Sequence, residues 1–347
     1  MGAGARRVGT GCSRCAAAAA ALMAACSLGT ACGPDLGRFE YREPHMGTEV
    51  RLVLLAPDRA AADSAAAAAF RTVGRLDSLF SDYRPDSGVA VLAQAAGDGV
   101  PVAVAPELWE VLSVGREWAD RTGGAFDVTV GPLTRLWRSA MRRGVLPDSA
   151  RLEEARAASG YAALVLAGEE KRVLLERPGM SLDLGGIAKG YVAQTVLEEL
   201  RARGISSALV DAGGDLALGD APPGEAGWRV EFPGGDVHRM ANLAVATSGD
   251  RYQYLESGGV RYSHILDPRT GVGVTASPTV VVVASDATTA DVLASTLTVL
   301  APEAGRSLVA ALDGVAVRVR FPAGETASWE TEGFPTPRPP PTQERNR

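Results

Sequence analysis

The sequence predicts an α+β fold, a single large domain built on mixed, largely antiparallel sheets with flanking helices. Many short apolar segments are separated by glycine-rich turns, which is typical of β-hairpins. Segments with helical periodicity lie among them. The regular alternation of strand and helix that builds a parallel Rossmann sheet is absent, and no linker divides residues 38–330. These observations favour one α+β domain over separate modules.

The composition is that of a globular protein and excludes several classes of function. The 347 residues are 46% hydrophobic and 22% charged, which excludes a disordered, collagen-like or coiled-coil chain. The net charge is −6 at pH 7. Because an acidic surface repels phosphates, the sequence argues against binding to nucleic acid.

The first 32 residues have the pattern of a lipoprotein-type signal peptide. Three arginines precede an uncharged apolar run at residues 16–31, which is too short for a comfortable membrane span. All four cysteines lie in this segment. Cys32 follows Leu-Gly-Thr-Ala and is the expected lipidation site, while Cys26 fits the small-residue rule about as well. A plain cleaved signal with incidental cysteines is the remaining alternative. We expect an exported, membrane-anchored lipoprotein that faces the periplasm or another extracytoplasmic side.

Helical periodicity and capping residues predict where the helices lie. Residues 58–80 are rich in alanine, with apolar residues at helical spacing. Residues 106–121 have a proline near the start and two glycines just past the end. A helix is also predicted at residues 187–204, where two glycines precede it and Gly204 ends it. The remaining helices are expected at residues 149–158, 287–300 and 306–312.

Runs of apolar and β-branched residues predict the strands. Residues 38–56 are expected to form one first strand, and residues 161–166 and 172–176 a pair around a Gly-Glu-Glu turn. From residue 331 the chain is rich in proline, and the tail 331–347 is expected to be disordered. Further strands are expected at residues 207–211, 228–232, 243–247, 261–266, 279–284 and 315–321.

The densest group of candidate functional residues lies at residues 181–190, Ser-Leu-Asp-Leu-Gly-Gly-Ile-Ala-Lys-Gly. A strand is expected to deliver Asp183, two glycines to make a turn, and a helix to begin. Free backbone N–H groups and the helix dipole at such a junction favour a phosphate. The spacing matches neither the dinucleotide fingerprint nor the Walker P-loop, so a plain strand-to-helix turn stays an alternative.

Two further segments combine glycines with acidic residues. Residues 211–215, Asp-Ala-Gly-Gly-Asp, follow a predicted strand and are a weak indication by themselves. Residues 123–133 mix glycines with Phe126 and Asp127, and the alternative for them is a buried loop and strand entry.

His264 is the candidate general base. It is one of only two histidines beyond the first 45 residues, and it lies where a predicted strand enters an Asp-Pro turn. Loops of this kind present functional residues, and imidazole is suited to accept a hydroxyl proton near neutral pH. A structural histidine is the alternative.

Asp291 and Ser295 are four residues apart on a predicted helix, so their oxygens can face one point. A carboxylate and a hydroxyl with backbone carbonyls, and without His or Cys, suit Mg²⁺ better than Zn²⁺. The alternative is an acidic residue that only stabilises the helix dipole.

In this order and spacing, the segments closely resemble the ApbE family, the bacterial FAD:protein FMN transferases. The resemblance spans about residues 40–320 and implies an ApbE-like fold for residues 33–330. It is carried by the motifs at residues 46–48, 79–83, 124–133, 183–190, 212–215, 246–249, 264–271 and 290–291.

The resemblance also implies roles for single residues. It makes His264 the base that activates the acceptor, and it places Mg²⁺ between the Gly186 carbonyl, Asp291 and Ser295. The family usually has Thr at position 295, and Thr296 follows directly, so either hydroxyl could be the ligand. The family also usually has Ser-Glu where this chain has Ser87-Gly88. The residues implied to contact FAD are Met46, Tyr83, Gly124, Ala125, Phe126, Asp127, Asp183, Lys189 and Ile265.

The activity implied is the Mg²⁺-dependent transfer of FMN from FAD to a Thr or Ser hydroxyl of another protein, with release of AMP. The acceptors implied are exported or membrane flavoproteins that carry a Thr/Ser acceptor motif. One alternative is an FAD pyrophosphatase that uses water as the acceptor at the same site. Another is a non-enzymatic lipoprotein that binds a flavin.

Overall fold

Antiparallel pairing joins eight strands into a central sheet. The computed structural model describes residues 36–249, 253–276, 278–322 and 328–336, so Cys26, Cys32 and the rest of the predicted signal peptide lie outside the described residues. The strand order in the sheet is β1-β2-β6-β7-β10-β15-β16-β17, and its pairs are antiparallel. The strands are β1 (Gly37–His45), β2 (Thr48–Ala56), β3 (Val102–Ala103), β4 (Leu164–Ala167), β5 (Arg172–Leu175), β6 (Ala208–Ala212), β7 (Asp215–Leu218), β8 (Trp228–Glu231), β9 (Val237–Met240), β10 (Ala244–Ser248), β11 (Tyr254–Ser257), β12 (Val260–Ser263), β13 (Leu266–Asp267), β14 (Val272–Gly273), β15 (Thr279–Ala284), β16 (Ala316–Arg320) and β17 (Trp329–Glu330).

Helices cover one face of this sheet, with α1, α6 and α7 packed directly on it. The predicted helix at 106–121 coincides with α3. Asp58 caps α1 by accepting the Ala61 N–H, which fits its position before the alanine-rich run. Among the described residues, no helix is long and apolar enough to cross a membrane. The helices are α1 (Arg59–Phe80), α2 (Gly88–Gln94), α3 (Pro106–Arg121), α4 (Gly131–Arg143), α5 (Ser149–Ala157), α6 (Ala188–Ala202), α7 (Ala287–Val299) and α8 (Pro302–Ala310).

The central strands of the sheet bury both of their faces, because apolar side chains alternate to either side along them. In β2, Leu52 and Leu54 enter the large core beneath the helices. Val53 and Leu55 point to the other face and join a second apolar cluster. The β8–β9 hairpin contributes Trp228 to that cluster.

The prediction of a single strand over residues 38–56 is wrong, because this segment forms the β1–β2 hairpin. His45 pairs with Thr48, so Met46 and Gly47 make a two-residue turn. Both have positive φ, 53° and 71°. Such a turn matches the twist of the strands, and the glycine at its second position lowers the steric cost.

Residues 131–143 form α4, a helix that the apolar spacing of the sequence did not predict. Pro132 lies in the first turn, and Gly144 ends the helix in the left-handed conformation. Leu133, Leu136 and Trp137 are buried on one side of it. The helix packs with β11 and β12 in a third apolar cluster, which closes one side of the site described below.

The folded domain extends beyond residue 330, which is the end predicted for it from the sequence. Phe334 is buried against Phe232 and His238 at the second apolar cluster. The buried Arg318 stacks on the Phe334 ring at 4.2 Å. Its guanidinium also donates to Asp236 and Glu330 at 2.7 and 2.8 Å. Residues 331–336 therefore belong to the folded domain, and residues 337–347 lie outside the described residues.

We expect Phe334→Ala to lower the free energy of unfolding by about 3 kcal/mol, because it removes a buried ring and leaves a cavity over the sheet. Urea unfolding followed by circular dichroism would measure it. Glu332→Ala is the matched control in the same segment, since Glu332 is exposed, and it should change stability by less than about 0.5 kcal/mol. If the two variants were equally stable, residues 331–336 would not be part of the cooperative fold.

Candidate active site

A cleft of about 420 Å³ lies between α4, the start of α6, α7 and the chain around residues 264–268. The end of β10 contributes Thr247, Ser248 and Gly249, and the loop after α3 contributes residues 125–127. The cleft is therefore built from segments that are distant in sequence. The predicted site residues that line this cleft are Tyr83, Ala125, Phe126, Asp127, Asp183, Gly186, Lys189, His264, Ile265, Asp291 and Ser295.

Two of the predicted FAD contacts do not line the cleft. Met46 lies in the β1–β2 turn, where its backbone N–H donates to Asp77 at 3.3 Å. Gly124 has a φ of 78° and donates its N–H to the Ala119 carbonyl, so it closes the end of α3. Their contacts with FAD stay predictions.

Lys189, in the first turn of α6, is held between two carboxylates. Its ammonium is hydrogen-bonded to Asp215, and it lies 3.6 Å from Oδ1 of Asp291. Oδ2 of Asp291 accepts the backbone N–H of Gly190 at 3.0 Å. A side chain at position 190 would have no room, since a Cβ there would lie 2.2 Å from the Ala287 carbonyl oxygen. Gly190 thus lets α6 and α7 approach closely enough to form this cluster.

The charges of this cluster depend on one another. Burial, together with the charge of Asp291, raises the pKa of Asp215 to about 7. Burial by itself would lower the pKa of Lys189, but the charges of Asp291 and Asp215 outweigh it, and the pKa is raised. The ammonium therefore remains charged at neutral pH, and its charge opposes the rise in the pKa of Asp215.

Asp291 and Ser295 face the cleft from adjacent turns of α7, as their spacing predicted. A Cβ at Gly186 would lie 2.9 Å from the Ser295 hydroxyl, so the Gly186 backbone and this hydroxyl are close neighbours. Thr296 instead points into the core, where its hydroxyl donates to the Val292 carbonyl at 2.7 Å. Across the described ranges, no group of three or more His, Cys, Asp or Glu side chains is arranged to hold a metal ion.

Asp127 shapes the loop at the cleft wall through its hydrogen bonds. It is buried, and its Oδ1 accepts both the backbone N–H and the hydroxyl of Thr129, at 2.7 and 2.6 Å. Its Oδ2 accepts the Tyr161 N–H at 2.9 Å. Burial raises the pKa of Asp127, and these hydrogen bonds oppose the rise. With its carboxylate occupied in this way, the residue can meet a ligand through the backbone of its loop, as the resemblance implies.

Asp183 belongs to a second charged cluster on the same cleft. Its Oδ1 accepts the Gly185 N–H at 2.8 Å, which fixes the glycine turn before α6. Its Oδ2 accepts from the Arg138 guanidinium at 3.0 Å. Arg138 is also hydrogen-bonded to Asp82, and it lies 4.8 Å from the centre of the exposed Tyr83 ring.

His264 lies on the connection between β12 and β13, next to Ile265, and its ring is exposed in the cleft. Its Nδ1 lies 3.1 Å from the Gln253 carbonyl oxygen. When Nδ1 carries the proton and donates it to this oxygen, Nε2 has the lone pair that a general base needs.

Sequence reasoning assigned no role to Asp215 or Arg138. The motif at residues 212–215 was noted, but Asp215 meets Lys189 only because the two-residue turn at Gly213-Gly214 starts β7 beside α6. Arg138 lies on α4, which was not predicted. The signal that could have found it is the Pro132…Gly144 pair of helix boundaries.

Comparisons with known proteins agree with this fold. The model of the ApbE family matches residues 46–319. An FAD:protein FMN transferase of Treponema pallidum is 34% identical over 275 residues, which cover 73% of this chain and 76% of that protein. Among solved structures, the flavin transferase ApbE from Vibrio cholerae has a TM-score of 0.78 and 28% identity. The match covers 86% of this chain and 98% of the Vibrio cholerae chain. The apo flavinyl transferase ApbE of Pseudomonas stutzeri has a TM-score of 0.77 and 28% identity, over 86% and 96% of the two chains.

The similarity covers the residues that build the cleft, from Tyr83 to Ser295, because the family match extends beyond both. The shared architecture confirms the α+β fold of mixed, largely antiparallel sheets predicted from the sequence. The chain belongs to the ApbE family.

Proposed function

We propose that the chain transfers FMN from FAD to a Thr or Ser hydroxyl of an acceptor protein, with release of AMP. The observation that carries this proposal is the assembly of His264, the 183–190 turn and the oxygen atoms of Asp291 and Ser295 in one cleft. Relatives above 30% identity named FAD:protein FMN transferases support it.

The residues on one side of the cleft fit a Mg²⁺ ion. The Gly186 carbonyl, the Asp291 carboxylate and the Ser295 hydroxyl are hard oxygen donors, which Mg²⁺ prefers. Oδ1 of Asp291 lies 3.6 Å from the Lys189 ammonium, so its lone pairs are not committed to a short hydrogen bond. A bound Mg²⁺ would neutralise charge that develops on the pyrophosphate as AMP leaves. Ser295 is favoured over Thr296 because only Ser295 lines the cleft.

The chain's own residues would then position the substrate and move one proton. The acceptor hydroxyl oxygen forms a bond to the FMN phosphorus, and the bond from that phosphorus to the bridging oxygen of the pyrophosphate breaks. AMP leaves with the bridging oxygen, and His264 accepts the hydroxyl proton at Nε2. The loop at 125–127 and the turn at Asp183 hold FAD, while Lys189 adds a fixed positive charge beside the phosphates. An open cleft suits this reaction, because the acceptor is a segment of another protein.

Intact-mass spectrometry of an acceptor protein tests the proposal. The purified chain is incubated with FAD, Mg²⁺ and a candidate exported flavoprotein domain that has a Thr in its acceptor motif. A mass gain of one FMN less water that is lost with EDTA is the expected result. Free FMN and AMP without a mass gain would instead favour the pyrophosphatase. FAD that stayed bound and intact with every acceptor tried would favour a flavin-binding protein.

We also propose that the protein is exported and held at the membrane through a lipid on Cys32, where it would meet exported or membrane flavoproteins. The charge and apolar patterns of residues 1–32 support this. Metabolic labelling with a fatty acid should mark the wild-type chain and the Cys26→Ala variant but not Cys32→Ala. Labelling that is lost only in Cys26→Ala would assign the lipid to Cys26 instead.

A further inference from the structure

Arg138 connects three parts of the cleft that are distant in sequence. It extends from α4, and its guanidinium reaches Asp82 in the chain after α1 and Asp183 in the turn before α6. The guanidinium also lies against the ring of Tyr83, 4.8 Å from its centre. A planar guanidinium can fork between two carboxylates and stack on an aromatic ring at once.

Tyr83 needs such a partner to keep a fixed orientation. Its side chain lines the cleft, yet it is 77% exposed, so little packing restrains the ring. The guanidinium that covers one face of the ring is itself fixed, because both of its carboxylate partners are largely buried, with side chains 16% and 11% exposed. Immobilising a side chain before a ligand binds removes an entropic cost from binding.

The two carboxylates also depend on Arg138. Burial, together with the charge of Asp183, raises the pKa of Asp82. This direction indicates that the two acids repel each other across the space that the guanidinium fills. Without Arg138, Asp183 would lose the donor that holds its Oδ2, and the chain that carries Tyr83 would lose its attachment to the glycine turn.

We propose that Arg138 is a positioning residue for FAD, which fixes the Tyr83 ring and the Asp183 carboxylate relative to each other before FAD binds. This inference rests on the proposed function, in which Tyr83 and Asp183 contact FAD. Arg138 acts through these two residues and takes no part in moving the proton or the phosphoryl group.

The test compares Arg138→Gln, Arg138→Lys and wild-type protein by titration of FAD fluorescence, without an acceptor. We expect Arg138→Gln to raise the dissociation constant of FAD about tenfold. The kcat for FMN transfer, measured separately with an acceptor at saturating FAD, should change by less than about threefold. Arg138→Lys should give an intermediate value, because lysine keeps the charge but cannot fork. The matched control is Arg135→Gln, an exposed position one turn earlier on α4, which should bind FAD as the wild type does.

A double-mutant cycle shows whether Arg138 acts through Tyr83. In a Tyr83→Ala background, Arg138→Gln should weaken FAD binding less than it does in the wild type. An equal effect in both backgrounds would overturn the coupling to Tyr83. If Arg138→Gln failed to fold by circular dichroism, Asp82→Asn would replace it, because it releases one attachment of the guanidinium and should weaken FAD binding about threefold.

Different results separate a failure of the proposed function from a failure of the role of Arg138. If the wild-type chain neither binds FAD nor modifies an acceptor, the proposed function fails. If the wild type does both, and folded Arg138→Gln binds FAD as tightly but unfolds at a lower temperature, Arg138 is only a stabilising ion pair. That result overturns the inference and leaves the proposed function intact.

Discussion

Replacement of His264 by Asn is expected to lower the rate of FMN transfer by about 100- to 10,000-fold and to leave the affinity for FAD within about twofold of the wild-type value. Asn can still donate an amide N–H toward the Gln253 carbonyl, which lies 3.1 Å from Nδ1 of the histidine. It cannot accept the hydroxyl proton of the acceptor near neutral pH. The variant therefore separates the local structure from the proton transfer.

Two measurements check this expectation. Single-turnover transfer, followed by intact-mass spectrometry of the acceptor, gives the rate, and titration of FAD fluorescence gives the affinity. The control is Gln253→Ala, which keeps the backbone carbonyl that His264 meets and removes a side chain lining the same cleft. Its transfer rate should stay within about tenfold of wild type. Transfer by His264→Asn at the wild-type rate would show that another group, or water, takes the proton.

A pH profile separates a base from a residue that only orients the acceptor. If His264 is the base, the transfer rate of the wild type rises with pH as its imidazole loses a proton. In His264→Asn this rise should disappear. A variant that was slow but kept the same rise would assign the titrating group to another residue.

Local patterns in the sequence predicted the helices well where helix boundaries and apolar spacing agree. The segment 106–121 has a proline at its start and glycines after its end, and α3 matches it. The sequence predicts one strand over residues 38–56 because the turn, Met46-Gly47, is not one of the Asn-Gly or Asp-Gly pairs that mark a two-residue hairpin. What breaks the strand is the left-handed conformation of Met46 and Gly47, and Met is a residue that rarely adopts it.

The part of the site that could be predicted lies in motifs, and the part that could not lies in contacts between them. Asp291 and Ser295 face one cleft because a helix repeats every 3.6 residues, so four residues of spacing suffice. The pairing of Lys189 with Asp215 depends on how α6 packs against the β6–β7 hairpin. Arg138 reaches Asp82 and Asp183 across separate elements of the fold. No local spacing in the chain encodes such contacts.

The second large effect is expected for Asp291→Asn, which should lower Mg²⁺-dependent turnover by about 100-fold or more. The change removes the one carboxylate in the proposed set of Mg²⁺ ligands, and the charge of a carboxylate contributes much of the affinity for a hard cation. Asn keeps the volume of the side chain and an oxygen that can accept the Gly190 N–H. In the wild type, Oδ2 of Asp291 accepts this N–H at 3.0 Å. Asp291→Ala should lose as much activity, but it leaves this buried N–H without its acceptor and should also cost stability.

The measurement is the rate of AMP release against Mg²⁺ concentration, with thermal unfolding as the check on the fold. Mg²⁺ should raise the unfolding temperature of the wild type, since an ion that binds the folded chain stabilises it, and this rise should be lost in Asp291→Asn. Asp286→Asn is the matched control on the same helix, because Asn also caps a helix well and position 286 lies outside the cleft. If Asp291→Asn kept both its turnover and the Mg²⁺-induced rise, the ion would have to bind elsewhere, and the roles of Gly186 and Ser295 would fail with that of Asp291. Loss of the turnover and of the Mg²⁺-induced rise in a folded protein would place the ion between α7 and the turn before α6, beside the Lys189 ammonium that is proposed to meet the phosphates.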